Sequence, residues 1–412
     1  MTAAISLDQI RAAHARAAGI VKTTPLDFST TFTRLCGRQI YLKLENLQKT
    51  GSFKVRGALN KIQLLDPAVR QRGMVTASAG NHAQGVAYAA RIAGVPATVV
   101  MPETAAFSKV EATTGYGASV VLAGRDYNEA YGRAIAIAAE RGATFVHAFD
   151  DPDVIGGQAT LALELLDQLT DIDAVVVPVG GGGLLAGVIA GLNGAGCRAR
   201  VIGVQAAGAA SLAPSLRAGS PVELAAVDTI ADGLATRRIG ALPFRIIRDA
   251  VASDVVTEVV AVNDAEIAAA VLQLLERAKM VVEGAGAVGL AACLAGRIDA
   301  MTSPNSKVVV IISGGNIDTN LLDRIITLGL ATEGRFFRFT TLLADRPGEL
   351  QRLVTCVAGC RANIHQISHQ RAQPGLALTQ AAVTLELETR GRQHIEEIDR
   401  AVRAAGFAVK RD

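Results

Sequence analysis

Lys54 is the residue of this sequence whose position most favours chemistry, and it lies in the stretch 51–60, GSFKVRGALN. An alternating pattern at 40–44 predicts a strand before it, and apolar residues at helical spacing predict a helix after it. Ser52 is the expected N-cap, which places Lys54 in the first helical turn. The helix dipole and burial both disfavour a protonated amine there, and a lysine with a lowered pKa is a nucleophile for Schiff-base formation. A solvated surface lysine is the alternative, and the local sequence alone favours it.

Glycine-rich loops could supply an anion site for such an amine. The stretch 180–187, GGGGLLAG, follows a buried strand and begins a helix, so its free amides would hold a phosphate. It fits a dinucleotide pattern loosely, but the acidic residue expected about 20 residues later is missing, which favours a single phosphate. The stretch 283–289, EGAGAVG, matches that pattern literally, but the segment before it is too short for the required strand. We interpret that match as chance.

Two further loops contain residues that could bind a ligand beside Lys54. The stretch 78–85, SAGNHAQG, lies at a strand-to-helix junction, and its amides together with Asn81 suit a carboxylate. The loop SGGNID begins with Ser313 at the end of a strand. An amine that forms a Schiff base, beside a phosphate site and a carboxylate site, is what pyridoxal phosphate acting on an amino acid requires.

Short β-branched runs alternate with longer helical patterns, and these predict the elements that position the loops. The predicted strands after 40–44 are 73–77, 97–101, 118–122, 144–147, 174–179, 200–205 and 307–312. The predicted helices are 82–93, 108–115, 127–141, 184–192, 264–279 and 318–330. The runs AVVVPV and KVVVIIS are apolar on both faces, as a sheet covered by helices on both sides requires. We therefore predict an α/β protein with two open sheets and ligands beyond the carboxyl ends of strands.

The pattern changes after about Thr332, where a β-α-β-β-α-β order predicts a compact α+β module of ferredoxin-like type. It has no obvious catalytic cluster, which favours binding or regulation. The predicted domains are thus a catalytic region at 1–330, with a smaller subdomain at about 53–150 inserted in a larger one, and the module at 333–412.

The composition excludes several classes of function. The net charge of +3 and the absence of tryptophan give no reason to expect a nucleic-acid partner or an anionic membrane surface. The uncharged stretch 174–197 contains a proline and four consecutive glycines, so it is interpreted as a strand, a loop and a helix and not as a membrane span. The five cysteines are scattered, which favours a reducing, cytoplasmic setting and predicts no metal site.

With these residues in place, the sequence resembles the fold-type II pyridoxal-phosphate enzymes (tryptophan synthase β-like), and within them the threonine dehydratases, or threonine ammonia-lyases. The motifs KLENLQKTGSFKVRGALN, TASAGNHAQGVA, PVGGGGL, TIADGLA, EGAGA and SGGNID all occur in the family's order. The resemblance implies β-elimination of water from L-threonine, and also from L-serine, with release of 2-oxobutanoate from the former. It also implies that Lys54 carries the cofactor and removes the α-proton, which overturns the surface-lysine alternative.

The resemblance assigns the other site residues as well. It implies that the cofactor is contacted by Phe53, that Asn81 bonds its ring hydroxyl, and that Ser313 faces its pyridine nitrogen. Its phosphate is held by Gly180, Gly181, Gly182, Gly183 and Leu184. The substrate carboxylate is surrounded by Ser78, Ala79, Gly80, Asn81 and His82. A serine opposite the nitrogen is neutral, so the ring is a weaker electron sink and elimination competes better than transamination.

Some positions depart from related patterns. Serine racemases have a second serine as acid and base where this chain has Ala79, so racemisation is expected to be weak or absent. Their divalent-metal ligands fall on Gln205 and Ser211, which makes activation through that site doubtful. The family's GQGT appears as GQAT at 157–160. His147 is interpreted as a structural histidine near the domain junction.

The C-terminal module resembles an ACT domain, with DRPGEL at 345–350 as its strand-to-helix turn and ANI opening its second strand. This resemblance implies an amino-acid effector, for which isoleucine is our hypothesis, and a homo-oligomer, either a dimer or a tetramer. A module that only assembles the oligomer is the alternative. Rival functions are a serine or 3-hydroxyaspartate dehydratase, a serine racemase-like enzyme of the same fold and, more distantly, a nicotinamide-dependent dehydrogenase.

Overall fold

The computed structural model describes residues 5–253, 256–372 and 374–411. The chain separates into two compact units, Met1–Asp318 and Thr319–Asp412. The helix Thr319–Thr332 is therefore part of the second unit, whereas the sequence pattern assigned it to the end of the catalytic region.

The elements alternate in type through the first unit and continue into the second. The α-helices are α1 Leu7–Ala17, α2 Thr30–Cys36, α3 Lys54–Leu64, α4 Pro67–Gln71, α5 Asn81–Ala93, α6 Phe107–Gly115, α7 Tyr127–Arg141, α8 Pro152–Gln168, α9 Gly183–Gly194, α10 Leu212–Ala218, α11 Ala241–Ala252, α12 Asp264–Gln273, α13 Gly284–Leu294, α14 Thr319–Thr332, α15 Glu349–Gly359 and α16 Arg392–Ala404. The strands are β1 Leu26–Phe28, β2 Gln39–Leu44, β3 Met74–Ala77, β4 Ala97–Met101, β5 Ser119–Leu122, β6 Thr144–Phe145, β7 Ala174–Pro178, β8 Arg200–Ala206, β9 Val256–Val262, β10 Lys307–Ile312, β11 Phe336–Ala344, β12 Asn363–Gln370, β13 Gln380–Glu388 and β14 Lys410–Arg411.

The first unit contains the two open sheets that the sequence predicts. The larger has the order β1-β2-β10-β7-β8-β9 and is parallel except for β1, and the smaller, β5-β4-β3-β6, is parallel throughout. In the middle of the larger sheet, Val309 pairs with Tyr41 on one side and Val175 on the other. Strands such as β7 are fully buried, because helices cover both faces. No helix in the described ranges is long and apolar enough to cross a membrane.

The sheet order determines which loops can meet. Strands β10 and β7 are parallel neighbours, so the residues after Ile312 and after Pro178 emerge side by side at one edge of the sheet. Ser313 follows the first strand end, and the glycines of 180–183 follow the second. Strand β2, on the other side of β10, ends at Leu44 and leads through two short 3₁₀ helices into α3. This edge is the location that the α/β pattern predicts for a ligand.

A buried ion cluster, formed by Lys43, Glu45, Arg56 and Glu164, anchors α3 beneath this edge. The Lys43 amine lies 2.6 Å from Glu164, and the Arg56 guanidinium lies 2.8 Å from Glu45 and 2.6 Å from Glu164. All these side chains are at most 3% exposed. The cluster has two positive and two negative groups, so its charges are balanced in a place where an unpaired charge would be costly.

Helices α3 and α8 cross in close contact beside this cluster. A Cβ atom on Gly157 would lie 2.6 Å from the Cα of Gly57, a distance that real side chains do not tolerate. The glycine of the GQAT stretch therefore has a packing role. Thr160 of the same stretch accepts a hydrogen bond of 3.3 Å from Arg56.

After α14, the second unit has the predicted β-α-β-β-α-β order, with an antiparallel sheet in the order β12-β13-β11-β14. Side chains along β11 alternate between buried and more exposed positions. The buried ones pack with α15 and α16, through residues such as Phe339, Leu353 and Ile398. One covered face and one open face are typical of such a sheet.

Candidate active site

Lys54 is the first residue of α3, as the sequence predicts, but the predicted cap is wrong. Ser52 has an extended backbone and forms an isolated β-bridge with Gly314, and the N-cap position belongs to Phe53. The amide of Phe53 also donates to the carbonyl of Ser313 at 3.2 Å. The helix start is therefore held by the strand end at Ser313 and not by a serine hydroxyl.

The Lys54 side chain points into the protein. Its amine donates to the carbonyl of Ala148 at 3.1 Å and lies 5.3 Å from the centroid of the Phe53 ring. Burial lowers the pKa of Lys54 to about 8, although the carboxylate of Glu283 acts in the opposite direction. A larger fraction of the amine is therefore unprotonated near neutral pH than for an ordinary lysine, as a nucleophile or a base requires.

The glycines at 180–183 form a helix start that suits an anion. Gly182 has φ +90°, and among the described residues no side chain caps the helix that follows. A Cβ atom on Gly181 would collide with the ring of Phe149, one on Gly183 would lie 2.9 Å from the Cβ atom of Phe149, and one on Gly182 would lie 2.9 Å from Pro243. The backbone can therefore follow this path only with glycine, and the first amides of α9 are available to a phosphate.

The stretch Ser78–His82 forms a second helix start of this kind. Helix α5 begins at Asn81, and its N-cap Gly80 offers no side chain to the first amides. The Ser78 hydroxyl accepts a hydrogen bond from the Gly80 amide at 3.2 Å, which holds the loop in shape. Ala79, on the same loop, packs against the core of the smaller sheet. These amides suit a carboxylate, as predicted for this loop.

The imidazole of His82 is buried and has a structural contact. Its Nε2 lies 3.0 Å from the carbonyl of Val146, so this nitrogen carries the hydrogen. Burial lowers the pKa of His82 to about 3, which keeps the ring neutral. The side chain cannot offer a positive charge to a carboxylate, so any contribution from this residue comes through its backbone amide.

Asn81 is held from both sides. Its amide nitrogen donates to Glu283 Oε1 at 2.6 Å, and its oxygen accepts from the amide of Asn316 at 2.8 Å. Burial raises the pKa of Glu283 to about 7, and the hydrogen bond from Asn81 acts in the opposite direction. The carboxyl lies near Lys54 as well, since each affects the pKa of the other.

A ring of contacts connects these features into one site. A Cβ atom on Gly314, next to Ser313, would touch Glu283 and lie 3.1 Å from the Asn81 amide nitrogen. Gly233 also lies close to Glu283 and Asn81, and its carbonyl faces Gly180. On the other side, Ala148 accepts from Lys54, and the next residue, Phe149, packs on the glycine loop. The Lys54 amine, the helix start at 180–183 and the helix start at Ser78–His82 thus lie around one cleft.

Ser313 and an ion pair between Lys109 and Asp232 are two further features of this cleft. Ser313 is 3% exposed, and the one contact of its hydroxyl among the described residues is long, 3.4 Å to the Ala285 carbonyl, so it can turn toward a ligand. Lys109, on α6, forms an ion pair of 3.0 Å with Asp232, on the TIADGL segment. The donors present fit pyridoxal phosphate: an amine for its aldehyde, uncapped amides for its phosphate, and polar side chains for its ring substituents.

Two further polar residues singled out in the sequence, His147 and Gln205, have structural contacts. His147 Nδ1 accepts hydrogen bonds from the amides of Phe149 (3.2 Å) and Asp150 (2.8 Å), so it orders the turn before α8. Gln205 donates to the carbonyls of Val179 and Ala209 and accepts from the amide of Leu212. Its carboxamide therefore holds the loop that follows β8.

Sequence reasoning gave no role to Glu283, Asn316 or Phe149. The first two belong to motifs that were recognised, EGAGA and SGGNID, but the sequence does not show that both side chains contact Asn81. The segment before EGAGA is not a strand, as the sequence predicts, and Glu283 is the N-cap of α13. Phe149 could not be found from spacing, because its contact with the glycine loop joins distant parts of the chain.

Comparison with known proteins places these features in a family. The family model described as pyridoxal-phosphate dependent enzyme matches residues 18–314. A protein of Thermotoga maritima named L-threonine ammonia-lyase is 47% identical over 406 residues, which is 98% of this chain and 99% of that protein. The processed form of threonine deaminase isoform 2 from Solanum lycopersicum has a TM-score of 0.73 at 35% identity, covering 78% of this chain and 93% of its own. Maize serine racemase has a TM-score of 0.74 at 36% identity, covering 81% and 100%.

Proposed function

This chain belongs to the family of pyridoxal-phosphate-dependent enzymes, and we propose that it acts as an L-threonine ammonia-lyase. It eliminates water from L-threonine, and the enamine that leaves the enzyme hydrolyses to 2-oxobutanoate and ammonia. The observation that carries the proposal is Lys54, whose amine has a pKa lowered to about 8 and shares a cleft with an uncapped glycine helix. The relative that matches nearly the whole chain bears the name of this activity.

Each residue has a defined task in this proposal. Bound pyridoxal phosphate supplies an electron sink for negative charge at the α-carbon of the amino acid. The amides of Gly180 to Leu184 would hold its phosphate, Asn81 would donate to its ring oxygen, and Phe53 would pack beside its ring. The loop Ser78–His82 binds the substrate carboxylate through backbone amides, which orients the α-proton.

Two side chains then determine the course of the reaction. The Lys54 amine is neutral often enough at physiological pH to accept the α-proton as a general base. Ser313 would face the pyridine nitrogen of the cofactor, and because its hydroxyl is uncharged it would not keep a proton on that nitrogen. Negative charge at the α-carbon is then less delocalised into the ring. This favours loss of the β-hydroxyl over transamination, in which a proton is added at a different atom.

A comparison of substrates tests the reaction. The purified enzyme should convert L-threonine to 2-oxobutanoate with a higher kcat/KM than it shows on L-serine or 3-hydroxyaspartate. A preference for either of the latter would instead make it a dehydratase of that amino acid.

The same samples, analysed on a chiral column, should contain no D-serine, because Ala79 has no proton to give on the face opposite Lys54. Accumulation of D-serine would identify a racemase and contradict the assignment.

For the second unit we propose an amino-acid-binding, regulatory role. We propose that the module spans 333–412 and follows a catalytic region at 1–330 in the chain. The module has the strand and helix order of an ACT domain. We propose further that the enzyme is a cytoplasmic homo-oligomer and that isoleucine, the end product of a pathway fed by 2-oxobutanoate, is the effector.

Isoleucine should therefore inhibit the full-length enzyme and raise its KM for L-threonine. A chain that ends at Thr332 should retain activity but lose this inhibition, and the velocity at a fixed threonine concentration measures both. Leucine is the control, since it has the same size and a different branch point. Equal sensitivity of the two chains to isoleucine would refute the regulatory role and leave the module as an assembly element.

A further inference from the structure

The hydrogen bonds around Asn81 form a chain with a fixed direction. The amide nitrogen of Asn316 donates to the backbone carbonyl of Thr50 at 2.7 Å, and a carbonyl can only accept. The same nitrogen therefore gives its other hydrogen to the oxygen of Asn81 at 2.8 Å. This leaves the Asn81 nitrogen facing Glu283, at 2.6 Å. The direction of this hydrogen-bond chain thus follows from the Thr50 carbonyl, which can only accept.

One hydrogen of Asn81 remains after these contacts. Its nitrogen has two hydrogens, and Glu283 accepts one of them. The hydrogen bond from Asn316 holds the oxygen end of this amide, and Glu283 holds its nitrogen end. Without Glu283 only the oxygen end is held, and the terminal torsion is soft, so the direction of the remaining N–H is less tightly fixed. The space for this arrangement depends on glycine, because a Cβ on Gly314 would touch the Glu283 carboxyl.

We propose that Glu283 is a positioning residue, which holds the Asn81 amide so that its remaining N–H points at the ring oxygen of pyridoxal phosphate. The inference rests on the proposed function, since it assumes that the cofactor occupies this cleft. In this proposal Glu283 acts on the cofactor only through Asn81. It acts as a buried acceptor, 9% exposed, that fixes the direction of a neighbouring donor.

The surroundings of Glu283 support an acceptor with little need of its charge. The charged groups that influence it are Asp232, Lys109 and Lys54, and the first two already pair with each other at 3.0 Å. Burial raises its pKa to about 7, so it carries only a partial charge near neutral pH. A carboxyl oxygen and an amide oxygen can serve the same purpose here, which makes glutamine a direct test.

The test measures the dissociation constant for pyridoxal phosphate with dialysed enzyme, together with the absorption spectrum of the bound cofactor. Glu283→Gln keeps an acceptor oxygen and should bind within about threefold of the parent, whereas Glu283→Ala should bind about tenfold more weakly, as loss of one well-oriented hydrogen bond implies. Glu283→Leu removes the acceptor but fills the space, so it should match the alanine variant and covers the case in which that variant does not fold. Glu103→Gln, on an exposed acid, is the control.

A double-mutant cycle with Asn81→Ala gives the sharpest outcome. If Glu283 acts through Asn81, then Glu283→Leu should cause no further loss of affinity when Asn81 is already alanine. Equal losses with and without Asn81, equal losses for the glutamine and leucine variants, or a leucine variant that binds like the parent would each overturn the proposal. Failure of the parent enzyme to bind pyridoxal phosphate would instead refute the proposed function.

Discussion

Replacing Lys54 with alanine should reduce kcat for L-threonine by at least about 10⁴-fold, the upper range for removal of a general base. The loss should be this large because one amine is asked to attach the cofactor and to take the α-proton. Replacement by arginine should be equally damaging, since a guanidinium stays protonated and is neither a base nor a nucleophile. Steady-state formation of 2-oxobutanoate measures both variants.

The control is Lys49→Ala, because Lys49 lies five positions earlier in the same stretch and its side chain is exposed. This variant should turn over L-threonine at the rate of the parent enzyme. Substantial elimination by the Lys54→Ala enzyme, with no added amine, would show that another group is the base and would contradict the mechanism.

Replacing Glu164 with alanine should lower the free energy of unfolding of the first unit by about 3–5 kcal/mol, as expected when one member of a buried ion pair is removed. Glu164 is 3% exposed and accepts from both Lys43 and Arg56, so its loss leaves two buried positive charges with one partner, Glu45. Denaturant unfolding followed by circular dichroism gives the difference.

Two comparisons distinguish this effect from a general loss of side-chain contacts. Glu140→Ala removes an acid from an ion pair with Arg133 that is half exposed on both sides, and it should change stability by less than about 1 kcal/mol. Replacement of all four members of the buried ion cluster by apolar residues of similar size should cost less than Glu164→Ala alone, since no charge is left unpaired. Equal effects of Glu164→Ala and Glu140→Ala would mean that the cluster is not an energetic unit.

The sequence predicted the fold well where one type of periodicity dominated. The buried strands Ala97–Met101 and Lys307–Ile312 have the predicted bounds, because uninterrupted β-branched runs leave few alternatives. Helices α8 and α13 were not predicted, since glycines interrupt their patterns and are tolerated only by the close packing they allow. Strand β9 was not predicted either. Lys54 and the glycine loop could be predicted, because their backbone positions follow from local patterns of residues.

The parts of the site that the sequence could not supply depend on distant contacts. Ser52 was expected to cap α3, yet its backbone pairs with Gly314, a residue separated from it by most of the first unit. The orientation of Asn81 likewise depends on Glu283 and Asn316, and neither residue type suggests such a role by itself. Local spacing predicts which residues begin helices, but it cannot predict which side chains from other strands will meet them.

The central claim is that Lys54 holds pyridoxal phosphate, and reduction with borohydride followed by peptide mapping tests it most directly. The purified enzyme should be yellow, and borohydride should bleach the colour and attach a pyridoxyl group irreversibly. Mass spectrometry of the digest should find that group on the peptide containing Lys54 and on no other lysine. A colourless enzyme that binds no cofactor, or a label on a different lysine, would contradict the account.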